Sequence, residues 1–180
     1  MLGWSGIVWT QAYQIIDRAN AIIINARDVE MDQTEKNKLV AQARVIRGET
    51  YFNLLRQYDN ILLDTIATTS ENVFDEVVYQ PANAADVYNL IDADLDFAIQ
   101  HLDWESDYGK YGQAAVRHVR GQSAMWQGDW AEAAAQFDAI INSGIYSLLT
   151  NPEDVFGQNA NHAEALLVSP RDEALGGDET

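Results

Sequence analysis

The sequence has 180 residues, of which 47% are hydrophobic, and a formal net charge of −17 at pH 7. This hydrophobic share is enough to build a core, which excludes global disorder despite the charge. The acidity excludes nucleic acid as a partner, because phosphate binding needs clustered cations, and the absence of cysteine excludes disulfides, thiolate metal sites and cysteine nucleophiles.

Apolar residues recur at helical spacing in five segments, which predicts an all-α chain. The predicted helices span about 6–28, 32–58, 84–101, 113–127 and 130–143. The second helix is expected to begin at Asp32 or Thr34, and Asp32 with Glu35 matches a capping pattern better. Gly144 follows the fifth helix as a candidate left-handed cap.

The segments outside these helices have no steady hydrophobic period. Residues 59–84 contain Pro81 and are predicted to form a long connection, which is usually functional or mobile. Residues 145–180 are expected to form short extended segments at 145–149 and 165–168, a helical turn near Pro152 and a frayed end. The whole chain, 1–180, is therefore interpreted as one helical region with long loops.

The fourth and fifth helices carry the spacing of a tetratricopeptide-type helical hairpin. Gly121 and Ala133 are expected where the two helices approach closely, Gly128 where the chain turns, and Phe137 in the groove between the helices. Such a hairpin buries little surface alone and must stack on neighbours.

A weaker copy of this pattern in the second helix, at Arg44, Gly48 and Tyr51, indicates a repeat array. Four tryptophans lie in or beside helical stripes and are predicted to belong to the core: Trp4, Trp9, Trp126 and Trp130.

An ordered series of residues runs through most of the chain. Its first part comprises Trp9, Tyr13, Ile16, Asn20, Ala43, Arg47, Tyr51, Phe52, Leu54 and Tyr58, followed by 61–63. Its second part comprises Val87, Tyr88, Ile91, Asp94, Leu95, 98–102, Gly109, Lys110, Ala114, Ala115, 128–130, Ala133, Ile140, Ile141, Gly144, Tyr146 and Leu148. The order and spacing resemble the SusD/RagB family of Bacteroidota-type nutrient-binding lipoproteins, from about Trp9 to Val168.

The resemblance implies a SusD-like fold whose helical repeats support a loop-rich region that binds glycans or other nutrients. It implies a place on the outward-facing surface of the outer membrane, held by a lipid anchor that this chain lacks. It also implies a SusC-like TonB-dependent transporter as partner, no catalysis and no cofactor. Family members are much longer, so the chain would be their repeat-bearing middle.

Two charged residues fall within apolar stripes, Arg47 on the second helix and Asp94 on the third. A charge in a buried seam costs several kcal/mol unless it is paired. We therefore predict an internal ion pair between Arg47 and Asp94, which could be a clamp between helices or part of a ligand site.

Aromatic residues crowd the loop between the third and fourth helices, at Trp104, Tyr108 and Tyr111. Sugars bind by stacking their CH faces on such rings, and carboxylates and amides bind their hydroxyls. These rings are candidate ligand-binding residues, or they seal the end of the helical stack. Tyr79 and Asn83 of the long connection are further candidates, with loop anchoring as the alternative.

No other constellation points to chemistry. His101, His118 and His162 are far apart and lack ligand partners at helical spacing, which predicts no metal site. The sequence shows no catalytic residue set, no signal peptide and no membrane span. Alternative functions are a tetratricopeptide-type adaptor that binds a peptide in a groove lined by helices 1, 2 and 4, and a glycosidase accessory domain. The acidity fits an ordinary surface or adaptation to high salt.

Overall fold

The computed structural model describes residues 3–58, 60–75, 79–156 and 162–168. Within these ranges the chain forms α-helices and two short 3-10 helices, with no strand, which confirms the all-α fold class. The α-helices are α1 (Trp4–Asn25), α2 (Gln33–Gln57), α3 (Ala84–His101), α4 (Gln113–Gln127) and α5 (Trp130–Ser143), and the 3-10 helices are Ala26–Asp28 and Pro152–Phe156.

Local capping explains where several helices begin and end. The Asp32 carboxylate accepts hydrogen bonds from the backbone N–H groups of Thr34 and Glu35 at 2.9 and 3.1 Å, so Asp32 is the N-cap of α2. Gly144 has a φ of 68° and ends α5 in the left-handed conformation, as predicted. The first helix begins at Trp4, slightly before its predicted start, and ends at Asn25, because its last predicted turn tightens into the 3-10 helix Ala26–Asp28.

The helices pack in chain order, each against the next. Contacts between α2 and α3 show that these two helices run antiparallel, because residues earlier in α2 meet residues later in α3. Arg47 contacts Asp94, Arg44 contacts Phe97, and Asn37 contacts His101. The result is a stack of sequential hairpins, the arrangement that the repeat pattern predicts.

The hairpin of α4 and α5 turns at Gly128, which has a φ of 77°. Gly121 lies directly against Phe137: a Cβ added at Gly121 would be 2.7 Å from two ring carbons of Phe137. Ala133 is buried in the same interface. These contacts confirm the close approach inferred from the spacing. At Gly48, in contrast, an added Cβ would meet α3 at an ordinary distance of 3.5 Å, so the structure does not require glycine there.

The prediction that Trp126 and Trp130 belong to the core is wrong. Their side chains are 61% and 66% exposed, respectively. The reason is that α5 packs on α4 through the face that carries Ala133 and Ile140, whereas both indoles lie beside the hairpin turn. Trp9 is half-buried and packs with its ring centroid 4.9 Å from that of Tyr13. The side chain of Trp4 lies outside the described residues, as does the predicted frayed end at 176–180.

A buried polar cluster joins α1, α2 and α3. Arg47 donates through Nε and Nη2 to the two carboxylate oxygens of Asp94, at 2.7 and 2.8 Å, and through Nη1 to Oδ1 of Asn20 at 2.8 Å. Burial raises the pKa of Asp94, and the charges of Arg47 and Arg44 oppose that rise. The Asp94 side chain has no exposed surface, and its ion pair with Arg47 joins α2 to α3 in the interior.

The long connection between α2 and α3 is held by two tyrosine hydroxyls. The Tyr13 hydroxyl donates to the carbonyl of Leu62 and accepts from its N–H, both at 2.8 Å. The Tyr51 hydroxyl makes the same pair of bonds with Asp64, both at 2.7 Å. Asn20, already bonded to the buried Arg47, also donates to the carbonyl of Asp64 at 3.2 Å. The first part of the connection is thus fixed against α1 and α2.

These hydroxyls predict a loss of stability at alkaline pH. Burial raises the pKa of Tyr13 to about 12 and also raises the pKa of Tyr51. An unfolded tyrosine ionises near pH 10, so the contribution of Tyr13 is complete below pH 10 and disappears as the pH rises through about 12. We expect the free energy of unfolding to fall across this window, as measured by urea denaturation at successive pH values.

Tyr13→Phe is the matched variant for this measurement. It removes the ionisable group, so its stability should fall less steeply between pH 10 and pH 12 than that of the parent chain. Identical slopes in the two proteins would contradict the assignment.

Candidate functional site

The loop between α3 and α4 stands between two clefts. The larger cleft has a volume of about 910 Å³ and extends over α1 and α2. The smaller has a volume of about 210 Å³ and lies between the loop, residues 145–146 and residues 162–168. Four loop residues line both clefts: Glu105, Ser106, Asp107 and Lys110.

Hydrogen bonds at its base give the loop its shape. The N–H of Gln113 donates to the carbonyl of Asp103 at 2.7 Å, and the Ser106 hydroxyl donates to the carbonyl of Lys110 at 2.7 Å. Gly109 turns the chain with a φ of 80°. Gly112 has no room for a side chain, because an added Cβ would be 2.8 Å from the carbonyl oxygen of Trp104.

Tyr111 is anchored to α2. The Gln42 side chain bonds both backbone groups of Tyr111, at 2.8 and 3.0 Å, and the Tyr111 hydroxyl donates to Glu49. Burial raises the pKa of Tyr111, and the bond to Glu49 raises it further. The ring packs against the hydrophobic core and only borders the larger cleft, so Tyr111 fastens the loop.

Trp104 turns towards α4. The Arg117 guanidinium lies over its ring, 5.3 Å from the centroid, and the Tyr146 hydroxyl donates to its carbonyl at 3.3 Å. Trp104 and Tyr111 therefore pack against the helices, as a seal would, and only Tyr108 of the three predicted rings is largely exposed, at 54%. Of the two alternatives for these rings, the seal fits Trp104 and Tyr111, and Tyr108 stays a candidate for ligand binding.

Tyr108 lies in the smaller cleft with Tyr146 and His162. Nδ1 of His162 accepts the N–H of Glu164 at 3.2 Å, which assigns the ring proton to Nε2 and makes that nitrogen a donor. Residues 162–168 fold back onto the chain through a bond from the N–H of Ser147 to the carbonyl of Ala163, at 3.1 Å. Sequence reasoning considered His162 only as a metal ligand, and no local pattern indicates this return of the chain.

The other two candidates lie at the far end of α3. Asn83 is the N-cap of α3 and accepts the N–H of Ala85 at 3.0 Å. The Tyr79 hydroxyl donates to the carbonyl of Asn60 at 2.9 Å. Because α3 has 18 residues, its two ends are roughly 27 Å apart, so Tyr79 and Asn83 do not share a site with the loop.

The larger cleft has an apolar floor and a polar rim. One face of α2, with Leu39, Ala43 and Ile46, forms the floor. At the rim, Nζ of Lys38 forms an ion pair with Oδ2 of Asp103 at 2.6 Å. The hydrogen bond to Asp103 raises the pKa of Lys38. No residue of α4 lines this cleft, so it is not the groove of helices 1, 2 and 4 that a peptide adaptor would use.

Within the described residues, no three or more histidine or acidic side chains are grouped to bind a metal ion. The three aspartates of α3 that alternate in sequence are all paired with arginines: Asp94 binds Arg47, while Asp92 and Asp96 share Arg120 at 3.2 and 3.1 Å. Over the same part of the chain, none of the helices combines the length and the hydropathy needed to cross a bilayer.

Comparison with known proteins places these features in a family. Residues 5–119 match the SusD-like family model, which is described as starch-binding and associating with the outer membrane. A SusD-like protein of Bacteroides ovatus is 28% identical over 177 residues, covering 89% of this chain and 32% of that protein.

Two solved structures are similar in fold and sequence. A laminarin-binding SusD-like protein has a TM-score of 0.80 and 28% identity, covering 89% of this chain and 36% of its own. A crystal structure with xylogluco-oligosaccharide has a TM-score of 0.78 and 25% identity, covering 89% of this chain and 34% of its own. The chain thus spans about a third of the length of these relatives. Because the family model matches more than half of the sequence, the chain belongs to the SusD-like family.

Proposed function

We propose that the chain is the helical-repeat part of a protein that captures glycans at the outward-facing surface of the outer membrane and hands them to a SusC-like TonB-dependent transporter. The match of residues 5–119 to the SusD-like family carries this proposal. A relative described as laminarin-binding and a structure solved with a xylogluco-oligosaccharide support a carbohydrate as the ligand. The mechanism is binding and release, without covalent chemistry or a cofactor.

The smaller cleft is the proposed contact with sugar. The exposed ring of Tyr108 offers a surface for the CH face of a pyranose, and Nε2–H of His162 and the Asp107 carboxylate supply a donor and an acceptor for hydroxyls. The cleft, at about 210 Å³, is smaller than the roughly 300–1,000 Å³ of sites for drug-sized ligands. It therefore suits a single sugar unit of a longer glycan.

Replacing Tyr108 with alanine is expected to weaken glycan binding. Loss of one stacking contact of about 0.5–1.5 kcal/mol corresponds to a roughly two- to tenfold higher Kd. Isothermal titration with laminarin and xyloglucan oligosaccharides measures the change.

Tyr79→Ala is the matched control, because Tyr79 and Tyr108 are both 54% exposed and lie near opposite ends of α3. It should leave the Kd unchanged. Equal Kd values for Tyr108→Ala and the parent chain, or equal losses in the two variants, would contradict the assignment of the site.

Handover is tested separately. The chain and a SusC-like transporter encoded beside it should co-purify from detergent-solubilised outer membranes. If the transporter elutes alone while glycan binding is intact, the partner in this proposal is wrong.

A further inference from the structure

We infer that the smaller cleft selects neutral glycans and rejects glycans that carry carboxylate or sulfate groups. The inference rests on the proposed glycan binding and specifies the class of sugar that the same cleft accepts. It follows from how the charged side chains around the two clefts are paired.

Both cations that line the clefts are already bound to aspartates. Nζ of Lys110 lies 2.7 Å from Oδ2 of Asp107, and Nζ of Lys38 lies 2.6 Å from Oδ2 of Asp103. The lining of the two clefts, as far as the structure describes it, contains no arginine. An anionic sugar would therefore have to displace a carboxylate from its lysine, and the released carboxylate would then repel it.

The smaller cleft carries a negative charge because of Glu105. Among the described residues it takes part in no ion pair, whereas the charges of Asp107 and Lys110 offset each other. The pKa of Asp107 is lowered by its hydrogen bond to Lys110, so this carboxylate remains ionised.

The charge of Glu105 acts on the interior of the cleft. The pKa of Tyr146, which lines the cleft beside His162, is raised by burial and then by the charge of Glu105. An anionic group on a bound sugar would meet the same field. Nδ1 of His162 accepts the Glu164 N–H, so Nε2–H points to hydroxyls as partners.

The rest of the molecule adds to this local charge. With a net charge of −17, the chain repels anionic polymers before they reach the cleft. Repulsion by the distant charges of the chain is screened beyond a Debye length, which is about 8 Å at physiological ionic strength. At physiological ionic strength the selectivity therefore depends mainly on Glu105 and on the two lysines that are already paired.

Laminarin and chemically sulfated laminarin are the probes, because they share one backbone and differ in charge. At low ionic strength we expect the sulfated form to bind at least about tenfold more weakly. The ratio of the two Kd values should shrink as ionic strength rises from about 0.01 M to about 1 M, over which the Debye length falls from about 30 to about 3 Å. A steric rejection of sulfate would give a ratio that salt does not change.

Two variants with opposite expected effects sharpen the test. Glu105→Gln keeps the shape of the side chain and removes its charge, and should reduce the Kd ratio about threefold or more at low salt. Lys110→Met frees the Asp107 charge and should enlarge the ratio. Glu153→Gln, on the exposed 3-10 helix Pro152–Phe156 outside both cleft linings, should leave the ratio unchanged.

The outcomes separate this inference from the proposed function. If neither form of laminarin nor xyloglucan binds, glycan capture by this chain is wrong and the selectivity falls with it. If laminarin binds and the sulfated form binds equally well at low salt, or if the Kd ratio is independent of salt and of Glu105, glycan capture stands and the selectivity for neutral glycans is wrong.

Discussion

Replacing Asp94 with alanine is expected to lower the free energy of unfolding by about 3–5 kcal/mol. The change leaves the Arg47 guanidinium, whose side chain is 7% exposed, without its bidentate partner in the interior of the stack. It also takes the nearest carboxylate from Arg44, whose Nη1 lies 3.5 Å from Asp94. Urea denaturation followed by far-ultraviolet circular dichroism measures the loss.

Asp96→Ala is a control on the same helix. Its carboxylate is 49% exposed and pairs with Arg120, so its removal should cost less than about 1 kcal/mol. The double variant Arg47→Met with Asp94→Leu, which removes both charges, should recover much of the loss. Equal effects of Asp94→Ala and Asp96→Ala would show that the buried pair does not clamp the helices.

Gly121→Ala is expected to destabilise the hairpin of α4 and α5 by up to about 2 kcal/mol. The new methyl group would lie 2.7 Å from the Phe137 ring, and such overpacking costs about 1–3 kcal/mol, from which a gain of about 1 kcal/mol in helix propensity is subtracted. Thermal and urea unfolding of the purified variant test this value.

Gly48→Ala is expected instead to raise the free energy of unfolding. Its methyl group would meet α3 at 3.5 Å, an ordinary contact, so the gain in helix propensity of up to about 1 kcal/mol should remain. In a Phe137→Ala background, Gly121→Ala should become stabilising as well, since the clash is gone. A shift of the same sign for both single glycine variants would contradict the packing described for Gly121.

Local sequence signals predicted much of the helical architecture because they act over a few residues. The N-cap at Asp32 and the left-handed glycines at 128 and 144 are each decided by neighbouring backbone groups. The pairing of Arg47 with Asp94 could also be anticipated, because a buried charge needs a partner of opposite charge and the apolar stripe of α3 offers few acidic residues.

The site was harder to predict, because side-chain direction in a loop depends on distant contacts. Trp104 and Tyr111 lie in the same loop as Tyr108, yet Arg117 and Gln42 draw them towards α4 and α2. His162 lines the smaller cleft only because the chain returns from beyond α5, which no periodicity indicates. Helical spacing likewise placed Trp126 and Trp130 in the core, although helical spacing alone does not show which residues lie at an open hairpin end.

The exposed indoles of Trp126 and Trp130 have a consequence for spectroscopy. Both are already in contact with water in the folded chain, so their emission will be red-shifted before any denaturant is added and will change little on unfolding. They are also open to a soluble quencher such as acrylamide. These two residues will therefore contribute little to the fluorescence change on unfolding, which will come mainly from the partly buried Trp9 and Trp104. Quenching of Trp126 and Trp130 will instead reveal any molecule that covers the tip of the hairpin of α4 and α5.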